Sequence, residues 1–325
     1  MNPAISVILL TTLIGTGQGL FLALYTGESY AAVNLLPRQS YDFYFYGSIM
    51  AVLLLIGGLI ASFFHLGHPE RAWRSAAMWR TSWLSREVIV LPAVIGLVSI
   101  YGLVHHLEWD LDIVGIESNI PGGLTLLIGA VGVLATFLLF FCTGMIYACI
   151  KFLQEWATPL TVINYTLLGT ASGFTLATAF ASNMAPALMN FYGGWAIIIT
   201  LAALVTRSVS LIRNARIRFK SSLRSAIGMR HSTITQRAQG FMGGSFNTRE
   251  FFHGASALFF KSVKWIFLVL VFPLPVLLLA YGMKTDNSLM LIAAFAVQYI
   301  GLIAERWFFF AQANHPQNLY YQTIS

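Results

Sequence analysis

Charged residues are scarce in this sequence. Asp, Glu, Lys and Arg make up 10% of its 325 residues, whereas a soluble domain typically carries about 25%. Hydrophobic residues account for 57%, and the mean hydropathy is +0.73. This composition excludes a soluble globular domain and predicts a polytopic membrane protein. The first apolar run, 4–25, has no basic segment before it and no small-residue cleavage site, so it is predicted to be a membrane span.

Cysteine is nearly absent, which limits the metal chemistry of the chain. The two cysteines, Cys142 and Cys149, cannot hold an iron–sulfur cluster alone, because such a cluster normally takes four thiolates. No spacing of cysteine and histidine fits a zinc site, and no phosphate-binding loop occurs. We therefore predict no metal site in this chain and assign both thiols to apolar packing.

Histidine is too sparse to indicate a haem. A haem held between membrane helices needs axial ligands from facing helices. His65, His105 and His106 lie at ends of predicted helices, but His65 falls on the opposite side of the bilayer from the other two. No haem is therefore expected in this chain. The net charge of +7 follows the predicted topology and requires no nucleic acid as a partner.

Eight apolar segments can each form a membrane-spanning helix. None has the alternating pattern of a membrane β-strand, so the predicted fold class is all-α, a bundle of eight transmembrane helices. The run Gly15-Thr-Gly17-Gln-Gly19 favours close contact between helices. Pro273 and Pro275 predict a kink or break in the seventh span. The predicted spans of this single membrane domain are 4–25, 42–64, 87–106, 122–152, 158–182, 188–206, 263–282 and 288–311, with a basic loop at 207–262.

The distribution of basic residues predicts the orientation of the chain. With both termini in the cytoplasm, all but two of the 19 Lys and Arg residues fall in or next to the cytoplasmic segments. The two exceptions are Arg38 and Lys284. Cytoplasmic loops of membrane proteins carry an excess of positive residues. The sequence therefore predicts that both termini and the 65–86 loop face the cytoplasm.

Ionisable residues are concentrated between the second and third spans, in the stretch HLGHPERAWRSAAMWRTSWLSRE (65–87). Such groups are costly at the mouth of a helix bundle and usually mark a site. His65 is predicted at the end of the second span, Glu87 at the start of the third, and Arg306 at the end of the last. All three would lie on the cytoplasmic side. Topology and lipid head groups can equally explain the arginines of this stretch.

These side chains suit a quinone head group. Its two carbonyl oxygens need hydrogen-bond donors, and its reduction consumes two electrons and two protons, so a titratable group such as histidine is required near water. Glu87 is expected to be kept ionised by the arginines beside it. Because the chain has no redox centre of its own, electrons must come from a partner. The predicted quinone pocket has His65 and Glu87 as its catalytic residues, and its full set is His65, Arg71, Trp83, Ser85, Arg86, Glu87 and Arg306.

The 207–262 segment is the only long stretch predicted to lie outside the membrane. Its first part is a basic amphipathic run that can lie on anionic lipid. Its second part, GFMGGSFNTREFFHG (240–254), mixes glycines, aromatic residues and single charges. This composition is typical of an ordered loop or a docking surface more than of a flexible linker, and both interpretations remain open. The residues predicted to dock a partner are Gly240, Phe246, Arg249 and Phe252.

HLGHPERAWR followed by SWLSRE, together with ERWFFFAQANHPQNLYY, resembles the membrane-anchor subunits of the dimethyl sulfoxide reductase type, over essentially the whole chain. The resemblance implies eight spans in the bacterial inner membrane. It also implies a complex with a molybdopterin catalytic subunit and a four-cluster ferredoxin-like iron–sulfur subunit. It further implies electron exchange with ubiquinone or menaquinone, no haem, and quinol-binding positions at His65 and Glu87.

Two features are closer to the anchors of cytoplasm-facing sulfite-oxidising complexes. The charge distribution places the motif loop in the cytoplasm, whereas dimethyl sulfoxide reductase anchors distribute charge the opposite way. The basic 207–262 segment is also longer than theirs. In the sulfite-oxidising complexes, partner subunits lie on the cytoplasmic side and electrons run from sulfite to quinone.

Three alternatives remain open from the sequence. The first is a quinol-oxidising anchor of a dimethyl sulfoxide reductase or another terminal reductase. The second is a secondary transporter, although no internal repeat is evident and the ionisable groups lie at the interface, not at the bilayer midplane. The third is an anchor with no quinone chemistry, in which His65 can be replaced without loss of electron transfer. The substrate of the catalytic subunit is not determined by this sequence.

Overall fold

The computed structural model describes residues 1–109, 123–218, 222–231, 233–234 and 253–316. All regular structure in these residues is helical, and an exposed 3-10 helix, Pro69–Met78, connects the second and third α-helices. The α-helices are α1 (Ile5–Ala32), α2 (Tyr41–Phe63), α3 (Trp83–His106), α4 (Gly123–Ala148), α5 (Pro159–Met184), α6 (Pro186–Ala215), α7 (Leu223–Ile227), α8 (Ala257–Val271), α9 (Pro273–Lys284) and α10 (Ser288–Ala311).

Within the described residues, seven helical segments are long and apolar enough to cross a membrane. They are α1, α2, α3, α4, α6, the α8–α9 pair and α10. The predicted fifth span corresponds to α5, which has 26 residues but is not among the seven. α5 packs against α1, α4, α6 and α10, and its buried polar residues include Asn164, Ser172 and Thr175. Because neighbouring helices shield these side chains, α5 does not need a uniformly apolar sequence.

Glycines allow α1 and α5 to cross almost in backbone contact. A Cβ atom on Gly19 would lie 2.3 Å from the carbonyl oxygen of Gly169, and one on Gly173 would lie 2.1 Å from the carbonyl carbon of Gly19. Gly15 and Gly19 on α1, and Gly169 and Gly173 on α5, are each four residues apart, a spacing that lets helices approach closely in membranes. The prediction of close contact at the α1 glycines is confirmed.

Two helix boundaries differ from the predictions in ways that matter for the site. α3 begins at Trp83 and not at Glu87, because Ser82 caps it by accepting a hydrogen bond from the Ser85 backbone N–H. Glu87 therefore lies inside the helix. α6 continues beyond residue 206 to Ala215, so Arg207 belongs to a helix and not to the basic loop. The predicted break in the seventh span is confirmed, since α8 ends and α9 starts on either side of Phe272.

Buried ionisable side chains lie at both ends of the helix bundle. The end that holds Glu87, Tyr165 and Arg306 is called the Glu87 end, and the end that holds Glu28 and His105 is called the His105 end. Along α3, the 18 residues between Glu87 and His105 correspond to about 27 Å at 1.5 Å per residue. The two groups of ionisable residues are therefore separate sites.

Candidate functional site

Glu87 is buried at the Glu87 end, with 7% of its surface exposed. Its carboxylate accepts a hydrogen bond from the Thr143 hydroxyl of α4. This contact differs from the expected one, because within the described residues the carboxylate makes no ion pair with an arginine. Arg86 instead donates to the backbone oxygens of Trp79 and Arg80. The Glu87 side chain thus points into the bundle toward Thr143 of α4, and within the described residues no ion pair joins it to the arginines of the connecting stretch.

Two stacked tyrosines lie beside this carboxylate. Tyr147 is one turn after Thr143 on α4, and its ring centroid is 5.5 Å from that of Tyr165 on α5. Both tyrosines are close enough to Glu87 to interact with it electrostatically. The side-chain hydroxyls of Tyr147 and Tyr165 also interact with each other. Because a pair of hydroxyls uses only one of its two O–H groups, one donor of the pair remains for a ligand.

Arg306 completes this cluster from α10. Its guanidinium carbon lies 3.7 Å from the centroid of the Tyr165 ring, and only 4% of the residue is exposed. A guanidinium over an aromatic face is stabilised by a cation–π interaction. We call Glu87, Thr143, Tyr147, Tyr165 and Arg306 the Glu87 cluster. It contains an acid, a cation and three hydroxyl groups in a buried environment.

A buried ionic triad supports Arg306. Arg207 Nε lies 2.7 Å from Glu305 Oε1, and Arg306 Nη1 lies 3.4 Å from Glu305 Oε2. The exposed fractions of Arg207 and Glu305 are 1% and 0%. Two guanidinium groups share one carboxylate, so the triad carries a net positive charge in a poorly solvated position. Such a charge favours nearby atoms that gain negative charge.

A further buried carboxylate, Glu155, lies in the connection between α4 and α5. The backbone and side-chain N–H groups of Asn314 donate to its Oε1 atom at 3.2 and 3.3 Å. Burial raises the pKa of the Glu155 carboxyl, and the Asn314 hydrogen bonds partly oppose this change. The next residue, Trp156, stacks on Phe309 and contacts Tyr147. Glu155 is therefore a partly shielded carboxyl group one residue from Trp156, which contacts Tyr147 of the Glu87 cluster.

Most of the other predicted pocket residues lie nearer the surface, and Ser85 is the exception. His65 follows the end of α2 and is exposed, although nearby protein atoms shield its ring enough to lower its pKa. Arg71 is exposed on the 3-10 helix, where its Nε atom is 3.6 Å from Glu70 Oε1. Trp83 lies under the Arg86 guanidinium at 4.1 Å, and Ser85 is buried at the helix start.

The structure therefore divides the predicted pocket. Glu87 and Arg306 belong to one buried cluster, whereas His65 and Arg71 are at the surface and make no hydrogen bond or ion pair with Glu87 within the described residues. The role of these residues in quinone binding stays a prediction. The predicted docking residues lie outside the described part of the chain, and they are Gly240, Phe246, Arg249 and Phe252.

Several members of the site were not predicted from the sequence. The sequence places Arg207 at the start of the predicted basic loop and gives no signal for Tyr147. A signal was present for Arg207, since it follows an uninterrupted apolar run with no glycine or proline to end the helix. Nothing in the sequence spacing could have paired it with Glu305, because the two residues are far apart in the chain.

A groove of about 350 Å³ lies elsewhere, between α2 and α3. Its lining includes Phe45, Ser48, Val52 and Leu103, which belong to the half of the bundle nearer the His105 end. Its walls are almost entirely apolar and include no ionisable side chain. It does not provide the acid–base groups found in the Glu87 cluster.

Comparison with known proteins gives the family of the chain. The family model of the DMSO reductase anchor subunit (DmsC) matches residues 1–311. The chain belongs to this family. A protein of Allochromatium vinosum that is named as a sulfite dehydrogenase subunit is 56% identical to this anchor over 325 residues, which cover 100% of both chains. The predictions of a multi-pass membrane anchor and of its family are confirmed, and the similarity is to a subunit of an oxidoreductase complex.

Proposed function

We propose that this anchor passes electrons between a partner iron–sulfur subunit and the membrane quinone pool, as part of a heterotrimeric molybdoenzyme. The molybdopterin and the iron–sulfur clusters belong to the partner subunits. The direction proposed is from sulfite oxidation to quinone, as the name of the Allochromatium vinosum relative suggests. The observation that carries the proposal is the Glu87 cluster, in which a buried carboxylate, a buried guanidinium and two neighbouring tyrosine hydroxyls lie together.

The charges of the cluster suit quinone reduction. The quinone ring supplies the redox chemistry and takes up two electrons and two protons. Tyr165 and Arg306 are placed to donate hydrogen bonds to oxygen atoms that gain negative charge, and the net charge of the Arg207–Glu305–Arg306 triad strengthens this effect. Glu87 is the buried group that can hold a proton and pass it on.

In the proposed function, protons reach the Glu87 cluster from the aqueous phase at the Glu87 end. Burial favours the protonated form of Glu155, and partial shielding favours the neutral form of His65. A carboxyl group that holds a proton and a neutral imidazole that accepts one are suited to relay protons. We assign His65 to proton exchange at the surface and Glu155 to a second route beside Trp156.

In the proposed orientation, both termini and the Glu87 end face the cytoplasm. α5 crosses the membrane in addition to the seven segments, which gives eight spans. A reporter that is active only in the periplasm should be inactive when fused after Ala157 or Arg224, and active after Ala185 or Glu108. The reason is the excess of basic residues on one side. Equal reporter activity after Ala157 and Ala185 would show that α5 does not cross the membrane. Reporter activity after Ala157 and Arg224, with none after Ala185 and Glu108, would overturn the orientation.

Replacing His65 with alanine should slow quinone reduction by the complete complex at least tenfold, because a positioned proton-transfer group contributes this much or more. The matched control is His68→Ala three residues later. His68 is exposed and its Nδ1 atom is 3.0 Å from Glu70 Oε1, away from the Glu87 cluster. Steady-state rates with a soluble quinone analogue provide the measurement. Equal rates in both variants would exclude His65 from the reaction.

A further inference from the structure

A second buried ionisable group lies at the His105 end, where the quinone proposal requires none. Glu28 on α1 and His105 on α3 have exposed fractions of 8% and 3%. The Tyr101 hydroxyl donates to Glu28 Oε2 at 2.6 Å, and the Thr125 hydroxyl donates to Glu28 Oε1. His105 Nε2 is 3.4 Å from Glu28 Oε1. Side chains of α3 and α4 thus converge on one carboxylate of α1.

Aromatic rings enclose the His105 side chain beside the Glu28 carboxylate. The ring stacks on Tyr44 with centroids 4.6 Å apart, and it meets the edge of Tyr101 at 4.7 Å. A cation over the face of a tyrosine is stabilised by the ring quadrupole, and the Glu28 carboxylate attracts the same charge. Neither ring nitrogen of His105 makes a hydrogen bond to another described residue. The ring can therefore gain or lose a proton without breaking one.

Stability alone does not explain this pair. Replacing a buried ion pair by apolar residues of similar volume is often neutral or stabilising, because desolvation offsets the attraction. Ionisable residues inside a membrane protein usually mark a path or site for ions or protons. Glu28 and His105 are also too far from Glu87 to serve the proposed quinone site directly, at about 27 Å along α3.

We propose that Glu28 and His105 form a proton-binding site that exchanges with the aqueous phase at the His105 end. The His105 ring takes up one proton from water and becomes an imidazolium facing the Glu28 carboxylate. The charge of the pair then changes from one negative charge to none. The tyrosine nearest the surface is Tyr41, whose ring centroid is 6.1 Å from that of His105 and which is 39% exposed.

Each helix packed around the pair contributes a defined group. α1 provides Glu28, α3 provides His105 and Tyr101, and α4 provides Thr125. Within the described part of the chain, the other titratable side chains near the pair include the tyrosines Tyr41 and Tyr44 of α2 and Tyr192 of α6. Tyrosine hydroxyls stay protonated in the range where histidine titrates. The protonation change is therefore assigned to the Glu28–His105 pair.

Infrared difference spectra of the whole complex in sealed liposomes test this proposal. The pH is changed in one compartment at a time, across the range where histidines titrate. Cys149 is exposed and Cys142 is buried, so labelling of the anchor by an impermeant maleimide reports which side the Glu87 end faces. Imidazole ring bands and a carboxylate band should change together when the pH is changed on the His105 side.

Matched variants assign these bands. They should be lost in His105→Gln, and the carboxylate band should be lost in Glu28→Gln. They should persist in His106→Gln, because the neighbouring His106 is exposed and stacks on Phe45 outside the pair.

Tyr101→Phe keeps both Glu28 and His105, so it is the variant to measure if His105→Gln fails to assemble. Its spectrum should show a shifted carboxylate band and unchanged ring bands. Three results would each overturn the proposal. The first is identical spectra for the unmodified anchor and His105→Gln. The second is the absence of ring bands in both the unmodified anchor and Tyr101→Phe, and the third is a response only to pH on the Glu87 side.

Discussion

Replacing Glu87 with glutamine is expected to slow quinone reduction roughly tenfold to a hundredfold. The variant keeps the size of the side chain and an acceptor for the Thr143 hydroxyl, but it cannot take up or release a proton. The reduced quinone in the proposed site also loses its hydrogen bond to the Glu87 carboxylate. Losing a hydrogen bond to a charged group costs about 1.5–3 kcal/mol, which corresponds to this change in rate. Turnover of the purified complex with quinone provides the measurement.

Two controls separate quinone chemistry from assembly. An artificial dye that takes electrons from the partner subunits should be reduced at the normal rate by the Glu87→Gln complex. Glu70→Gln is the matched variant, because Glu70 lies in the same stretch but is exposed beside His68 and Arg71. It should retain normal quinone turnover. Normal turnover of Glu87→Gln would remove Glu87 from the site, and equal loss with the dye would indicate impaired assembly.

Replacing Glu305 with alanine is expected to destabilise the anchor by about 3–5 kcal/mol, the usual cost of removing one partner of a buried ion pair. The change leaves Arg207 and Arg306 as two buried guanidinium groups without their shared carboxylate. The midpoint of thermal unfolding of the detergent-solubilised complex should fall sharply, and the amount of inserted anchor should decrease. Arg216→Gln, an exposed position at the end of α6, should change the midpoint little.

A double variant tests the electrostatic cause of this loss. Arg207→Met combined with Glu305→Ala removes one positive and one negative charge, so the net charge of the triad is the same as in the unmodified anchor. The double variant should therefore be more stable than Glu305→Ala alone. If the two variants unfold at the same midpoint, the cost comes from lost packing, and the proposed role of the buried net charge loses its support.

The sequence predicted the parts of the site that depend on short-range patterns. The stretch 65–87 singled out Glu87, and the end of the last span singled out Arg306. Both are buried in one cluster. It did not predict the partners of these residues, because Thr143, Tyr147 and Tyr165 lie on helices whose rotation about their axes is decided by packing.

By itself, the sequence determined the class of the protein and the approximate positions of its membrane helices. These depend on long apolar runs, proline breaks and scarce charge, which are local properties of the chain. Only the tertiary structure decided which polar side chains share a buried environment. The Glu305 carboxylate joins Arg207 to Arg306, and Glu28 joins His105, across residues that are remote in sequence. A charge buried in the bundle requires a partner from another helix, and that partner is determined by how the helices pack.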